Sequence, residues 1–217
     1  MTVIPKPAST VVLLDEKSRV YLTKRPKTMK FLGGYYVFPG GSVDKTDAVV
    51  ESEFILNRPN SRLNPAYYIA AARELFEEVG ILLATNRDGT INFDEGKARE
   101  YRQRLMNGEL SFIEMLQREE LFFNLKQLKY FGTLVTPEGN PYRFDTSFFL
   151  AYLPKGQSPI PDAYEIEDAF WVSPNDALSA YSKGKLPMIA PTIMSLQTII
   201  NYQKGNPLQL PKNPNLL

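Results

Sequence analysis

The chain of 217 residues contains no cysteine and no histidine. The first absence excludes disulfides, thiolate zinc sites and a cysteine nucleophile. The second removes the Ser-His-Asp triad, histidine metal sites and the usual proton shuttle near neutral pH. Any catalysis must therefore rest on carboxylates, Lys, Tyr, Ser or Thr, or on a metal held by oxygen, which means a hard divalent cation such as Mg2+, Mn2+ or Ca2+. An excess of charge is also missing: 25 basic residues against 24 acidic leave a net +1, too little for a global field that would hold a nucleic-acid backbone or an anionic membrane. An anionic ligand has to be bound locally. No run of 18 apolar residues occurs, and two prolines fall where a signal peptide would need an apolar stretch. A cytoplasmic protein is the expectation, and Asn215-Leu216-Leu217 does not spell a peroxisomal or reticulum address.

What is present is ordinary globular composition, 43% hydrophobic and 23% charged, enough for one packed domain. Thr10 to Leu14 and Val20 to Thr23 read as a hairpin around a polar turn, and Tyr35 to Phe38 as a strand stopped by Pro39-Gly40-Gly41. From Ala66 to Val79, apolar residues at 69, 72, 75, 76 and 79 follow a helical period, with Gly80 where a C-cap belongs. Residues 92–120 read as two charged amphipathic helices broken at Asn107-Gly108, forming a small helical insertion. Strands return at Tyr130–Val135, Phe144–Tyr152 and Ala169–Val172. Helices follow from Ser173-Pro174 to Ser182 and from Pro191 to Tyr202, and residues 206–217 form an irregular tail. These elements predict one α/β domain over residues 1–205, a sandwich with a mixed central sheet.

Within the predicted helix stands Arg73-Glu74-Leu75-Phe76-Glu77-Glu78-Val79-Gly80-Ile81. Glu74, Glu77 and Glu78 lie at i, i+3 and i+4, so three like charges share one face and repel. A metal cation would offset that repulsion, whereas the bland alternative is a solvated acidic face. The full string resembles the signature helix of the Nudix hydrolase family. The resemblance implies a Nudix-type α/β/α sandwich and an Mg2+- or Mn2+-dependent cleavage of a diphosphate bond. It assigns Glu77 and Glu78 as the main metal ligands, Glu74 as a further ligand or the water-activating base, Arg73 as their orienting partner, and the Gly41 carbonyl as a further ligand. The spacing from Gly41 to Arg73 exceeds the family's, so an insertion separates loop from helix, and Asp47, Glu51 or Glu53 stands in for the family's first glutamate.

Upstream, Leu22-Thr23, Arg25, Lys30, Gly34 and Phe38-Pro39-Gly40-Gly41 resemble in spacing the signature of the coenzyme A diphosphatase branch, with Lys30 where that signature has Arg. Lysine keeps the charge but not the bidentate fork. Together with Arg143-Phe144-Asp145-Thr146, this implies a coenzyme A or acyl-coenzyme A substrate bound through Lys24, Arg25, Lys30, Gly40 and Arg143. Glu165 resembles a family position that sometimes supplies a ligand or base, its bland reading being an exposed loop carboxylate. Phe31, Tyr35 and Tyr36 offer rings for adenine or for packing. The alternatives are hydrolysis of ADP-ribose, NADH or a similar dinucleotide, and a Nudix-fold binding module without catalysis. The partners expected are a small nucleotide, with no nucleic acid and no membrane; self-association as a homodimer stays open.

Overall fold

Residues 3–48, 52–58, 63–91 and 94–211 are described by the computed structural model. The run Val11-Val12-Leu13-Leu14 alternates its side chains between two buried faces, which is why it is apolar throughout instead of alternating with polar residues. It belongs to strand β1 (Lys6–Leu14), which pairs in parallel with β9 (Phe144–Tyr152) and antiparallel with β2 (Val20–Lys24). With β8 (Lys129–Val135) and β10 (Asp168–Val172), the order across the sheet is β10-β2-β1-β9-β8. Two short strands extend it, β3 (Tyr36–Val37) on β2 and β4 (Gly40–Ser42) on β1. β3 does stop before Pro39, and Gly40 and Gly41 then open a separate strand, β4, opposite Thr10 and Ser9.

One face of the sheet, through Val11 and Leu13, packs against helix α1 (Ala66–Val79). The other, through Val12 and Leu14, packs against α5 (Ala190–Gln203) and α4 (Pro174–Ser182). The result is a three-layer α/β/α sandwich with a mixed sheet. α1 has the predicted bounds, and Gly80, at φ 71°, donates its N–H to Phe76 O at 2.9 Å.

The helical insertion consists of α2 (Glu95–Met106) and α3 (Phe112–Arg118). Asp94 caps the first, and a capping box of Ser111 and Glu114 caps the second. It is no detached lobe, since Leu105, Phe112, Ile113, Met115 and Leu116 are buried in the same core as α1. Beside it lies a small sheet not anticipated from the sequence, β5 (Ile55–Leu56), β7 (Phe122–Asn124) and β6 (Ala84–Thr85), in the order β5-β7-β6. The tail is irregular but docked as far as it is described: Leu210 is buried and donates its N–H to Phe131 O at 2.7 Å. Among the described residues, no helix is long and apolar enough to cross a membrane.

Candidate active site

Five N–H groups make up an arginine's donor set, and the buried Arg73 has a partner for every one. Nε donates to Asp47 Oδ1 at 3.0 Å, and Nη2 donates to Asp47 Oδ2 at 2.9 Å and to Ser42 O at 2.8 Å. Nη1 donates to Glu74 Oε1 and to Glu77 Oε2, both at 2.9 Å. Asp47 sits on a single 3-10 turn, Lys45–Ala48, is 1% exposed, and also accepts the Asp44 N–H at 2.8 Å. Among the described carboxylates considered for the missing first glutamate, Asp47 is the one that reaches the helix. It serves as the anchor of Arg73 and not as a free acid. Glu53 lines a groove by the small sheet with Phe122 and Arg87, and Glu51 lies outside the described residues.

Burial works against the Arg73 charge, but the Asp47 hydrogen bond and the charges of Glu74, Glu77 and Asp47 outweigh it, so its proton is held more tightly than in water. For the glutamates the compensation is only partial. Burial, opposed by Arg73 and aided by Glu165 and Asp47, pushes Glu74 up to about 7. Burial, opposed by Arg73 and aided by Glu74 and Asp47, pushes Glu77 up to about 8. Glu78 is raised well above the usual carboxylate range by burial and by Glu74 and Glu165, against the pull of Arg25 and of the Gly40 N–H, which it accepts at 3.2 Å. Glu165 is raised by burial and by Asp162, with Arg25, Arg102 and Arg73 opposing. Glu165 is thus electrostatically part of the cluster and not an isolated loop residue.

Strand β4 itself closes the cluster from the sheet side. A Cβ placed on Gly41 would stand 2.5 Å from Glu74 Oε1, so the carboxylate leans on bare backbone there. Among the described residues no three carboxylates already converge as a closed metal cage. The donor set is nonetheless oxygen only and starved of cations, which fits a hard divalent ion.

The predicted substrate residues divide. The charge of Arg25 is felt by Glu78 and Glu165, while its Nε is held by Phe31 O at 3.2 Å. Lys24 bonds Glu167 at 2.7 Å and lies over the Tyr36 ring. Lys30 is exposed. The Arg143 guanidinium is committed to main-chain oxygens, Thr136 O at 3.0 Å and Val3 O at 2.7 Å. Tyr36 is buried and bonds Asp168, Phe31 packs on Tyr142 and Phe144, and Tyr35 is exposed.

Sequence reasoning missed Arg102. From α2 it donates Nε to Glu77 O at 3.0 Å and Nη2 to Glu78 O at 3.1 Å, at the C-terminal end of α1. Its partners are main-chain carbonyls, which no side-chain motif announces.

Comparison with known proteins agrees with this geometry. A family model for the NUDT19 Nudix domain matches residues 63–199, and one for the NUDIX domain matches residues 4–110. The chain is similar to a putative nudix hydrolase 7 of Caenorhabditis elegans, 30% identical over 87% of this chain and 58% of that protein. It also resembles an acyl-coenzyme A diphosphatase NUDT19 of Xenopus laevis, 25% identical over 87% of this chain and 61% of that protein. It spans about three fifths of the length of these curated relatives. The crystal structure of a NUDIX hydrolase from Alicyclobacillus acidocaldarius superimposes with a TM-score of 0.84 at 30% identity, covering 96% of this chain and 99% of that one. Fold, signature helix and matched family models together place this chain in the Nudix hydrolase family.

Proposed function

We propose that the chain is a divalent-metal-dependent hydrolase that splits the diphosphate of coenzyme A or an acyl-coenzyme A into 3',5'-ADP and (acyl-)phosphopantetheine. The observation that carries this reading is the cluster formed by the buried Glu77 and Glu78 with the partly buried Glu74 and Glu165, which has too few cations to match. A binding module has no need of so costly an arrangement. Glu74, Glu77 and Glu78 would hold the ion, with the Gly41 backbone alongside. Mg2+ or Mn2+ bound there supplies charge neutralisation for the diphosphate and a more acidic water.

The chain's own residues do the rest. Arg73, clamped by Asp47, fixes the carboxylates of Glu74 and Glu77. Glu74, pushed up to about 7, is suited to take a proton from the attacking water, and Glu165, also raised, is the second candidate for that work. The water oxygen bonds to one phosphorus, the bridging P–O bond breaks, and its electron pair leaves with the other phosphate. Arg25 stands close enough to Glu78 and Glu165 to meet substrate charge arriving at the cluster. The coenzyme A choice draws its support from the relatives named acyl-coenzyme A diphosphatase and from the cations at 24, 25 and 30.

The test is a panel of coenzyme A, an acyl-coenzyme A, dephospho-coenzyme A, ADP-ribose and NADH with Mg2+ or Mn2+, products identified by mass. Coenzyme A or its ester should be cleaved fastest, a chelator should abolish turnover, and Glu78→Gln should lower kcat by about a hundredfold or more as charge stabilisation is lost. Faster cleavage of ADP-ribose would transfer the assignment to dinucleotides, and tight binding without turnover would favour the non-catalytic module.

A further inference from the structure

All four of the last carbonyls of α1 are accounted for, and three of them are satisfied by donors from outside the helix. Phe76 O accepts from Gly80 at 2.9 Å. Glu77 O accepts from Arg102 Nε, Glu78 O from Arg102 Nη2 and from Asp162 N–H at 2.8 Å, and Val79 O from Ile160 N–H at 2.8 Å. The last turn of a helix has no intrahelical donors for such carbonyls, so their partners must come from elsewhere. Here two of the three belong to Glu77 and Glu78 themselves, and all three are gripped by the inserted helix α2 or by the loop bearing Glu165.

Arg102 is 8% exposed and, among the described residues, has no carboxylate within ion-pair distance. Burial lowers its affinity for its proton, and the charges of Asp162 and Glu165 offset only part of this. Its favourable contacts are therefore the helix carbonyls, where a cation also meets the negative end of the helix dipole. Gly80 makes room, since a Cβ there would stand 3.2 Å from Arg102 Nη1. A buried guanidinium spent on the backbone of Glu77 and Glu78, beside Glu165, is an expensive way merely to attach a helix whose apolar face already packs through Leu105.

We propose that Arg102 is a positioning residue of the active site, through which the helical insertion sets the placement of the Glu77 and Glu78 carboxylates relative to Glu165. The proposal deepens the metal-dependent hydrolase reading and rests on it for its catalytic part alone. Groups that orient metal ligands typically cost tenfold to a hundredfold when removed.

The experiment compares the unmodified chain with Arg102→Met, Arg102→Lys and Leu105→Ala, the last loosening the same helix without touching α1 carbonyls. Amide hydrogen exchange on the metal-free proteins reads the last turn of α1, and kcat and KM on an acyl-coenzyme A with Mn2+ read the consequence. Arg102→Met should speed exchange locally at residues 77–81 and lower kcat by about ten- to a hundredfold with KM within about threefold. Arg102→Lys should recover part of kcat, and Leu105→Ala should keep kcat within about threefold even where its melting temperature falls as far. Unchanged exchange and kcat in Arg102→Met, or equal kcat losses in Arg102→Met and Leu105→Ala, overturns the proposal. An unmodified chain inactive on every diphosphate would refute the hydrolase reading, and the exchange result would still decide whether Arg102 holds the helix end.

Discussion

Asp47 grips Arg73 with both carboxylate oxygens, 3.0 Å from Nε and 2.9 Å from Nη2, from a 3-10 turn that lies across an insertion from the signature helix. The pair is buried at both ends, with side-chain exposures of 6% and 1%. Breaking such a pair strands a charge that water cannot reach, which costs about 3–5 kcal/mol. Asp47→Ala should therefore lower the unfolding free energy by that amount in urea titration and reduce kcat as Arg73 loosens. A loss below about 1 kcal/mol would show that Glu74 and Glu77 alone can hold Arg73.

The raised glutamates give the metal-free protein an unusual pH response. With Glu74 near 7 and Glu77 near 8 in the folded chain against about 4.5 unfolded, the native state keeps protons that the unfolded state has already released. Stability from these groups is complete below about pH 4.5 and drains away as pH rises through 7 to 8. Melting temperature in EDTA should fall between pH 5.5 and 8.5, on the order of a few kcal/mol of stability, and Mn2+ should reverse the fall at the alkaline end. Mn2+ binding at pH 7 should also expel protons, seen as a calorimetric heat that varies with the buffer's ionisation enthalpy. A melting temperature independent of pH over this range would contradict the crowded cluster.

Glu74 rests against the bare backbone of Gly41, where a Cβ would stand 2.5 Å from its Oε1. The obstacle is the far end of a side chain, so Gly41→Ala should cost less than about 1 kcal/mol of stability while forcing the carboxylate aside. Misplacing a reacting group by about 1 Å can cost around a hundredfold in rate, and a loss of that order in kcat is expected. Full activity in Gly41→Ala would mean that the position of Glu74 is not critical.

Strong local signals carried most of this site. The helical period of 66–79, the three glutamates and Gly80 are all set by neighbours within two turns, and α1 has the bounds they imply. The contacts that escaped notice are made across long separations or through main chain. Asp47 meets Arg73 over 26 intervening steps of chain, so spacing alone left it level with Glu51 and Glu53. Arg102 is one of many charges in the amphipathic stretch of 92–120, and nothing in a residue pattern singles out a side chain whose acceptors are carbonyls. Strands of two residues such as β5 and β6 are too short for any period to declare itself. Arg143 carried a plausible charge for phosphate, but packing turned it toward Val3 and Thr136.

Substrate choice should separate the three cations upstream of β3. Coenzyme A carries a 3'-phosphate that dephospho-coenzyme A lacks, so only a group that reads this phosphate can tell the two apart. Lys24 is engaged with Glu167 and Tyr36, and Arg25 with Phe31 O and the field of Glu78 and Glu165. Lys30 is exposed and takes part in none of the hydrogen bonds or ion pairs among the described residues. Of the three it alone has no hydrogen-bond partner among the described residues and faces no glutamate of the cluster, and a charge-assisted contact to phosphate is worth about 1.5–3 kcal/mol. Lys30→Ala should therefore reduce kcat/KM for coenzyme A about tenfold or more while leaving dephospho-coenzyme A within about twofold. Lys24→Ala and Arg25→Ala should lower both substrates alike, the second more severely because it leaves Glu78 and Glu165 less compensated. Parallel losses on the two substrates in Lys30→Ala would place the 3'-phosphate contact elsewhere on the chain.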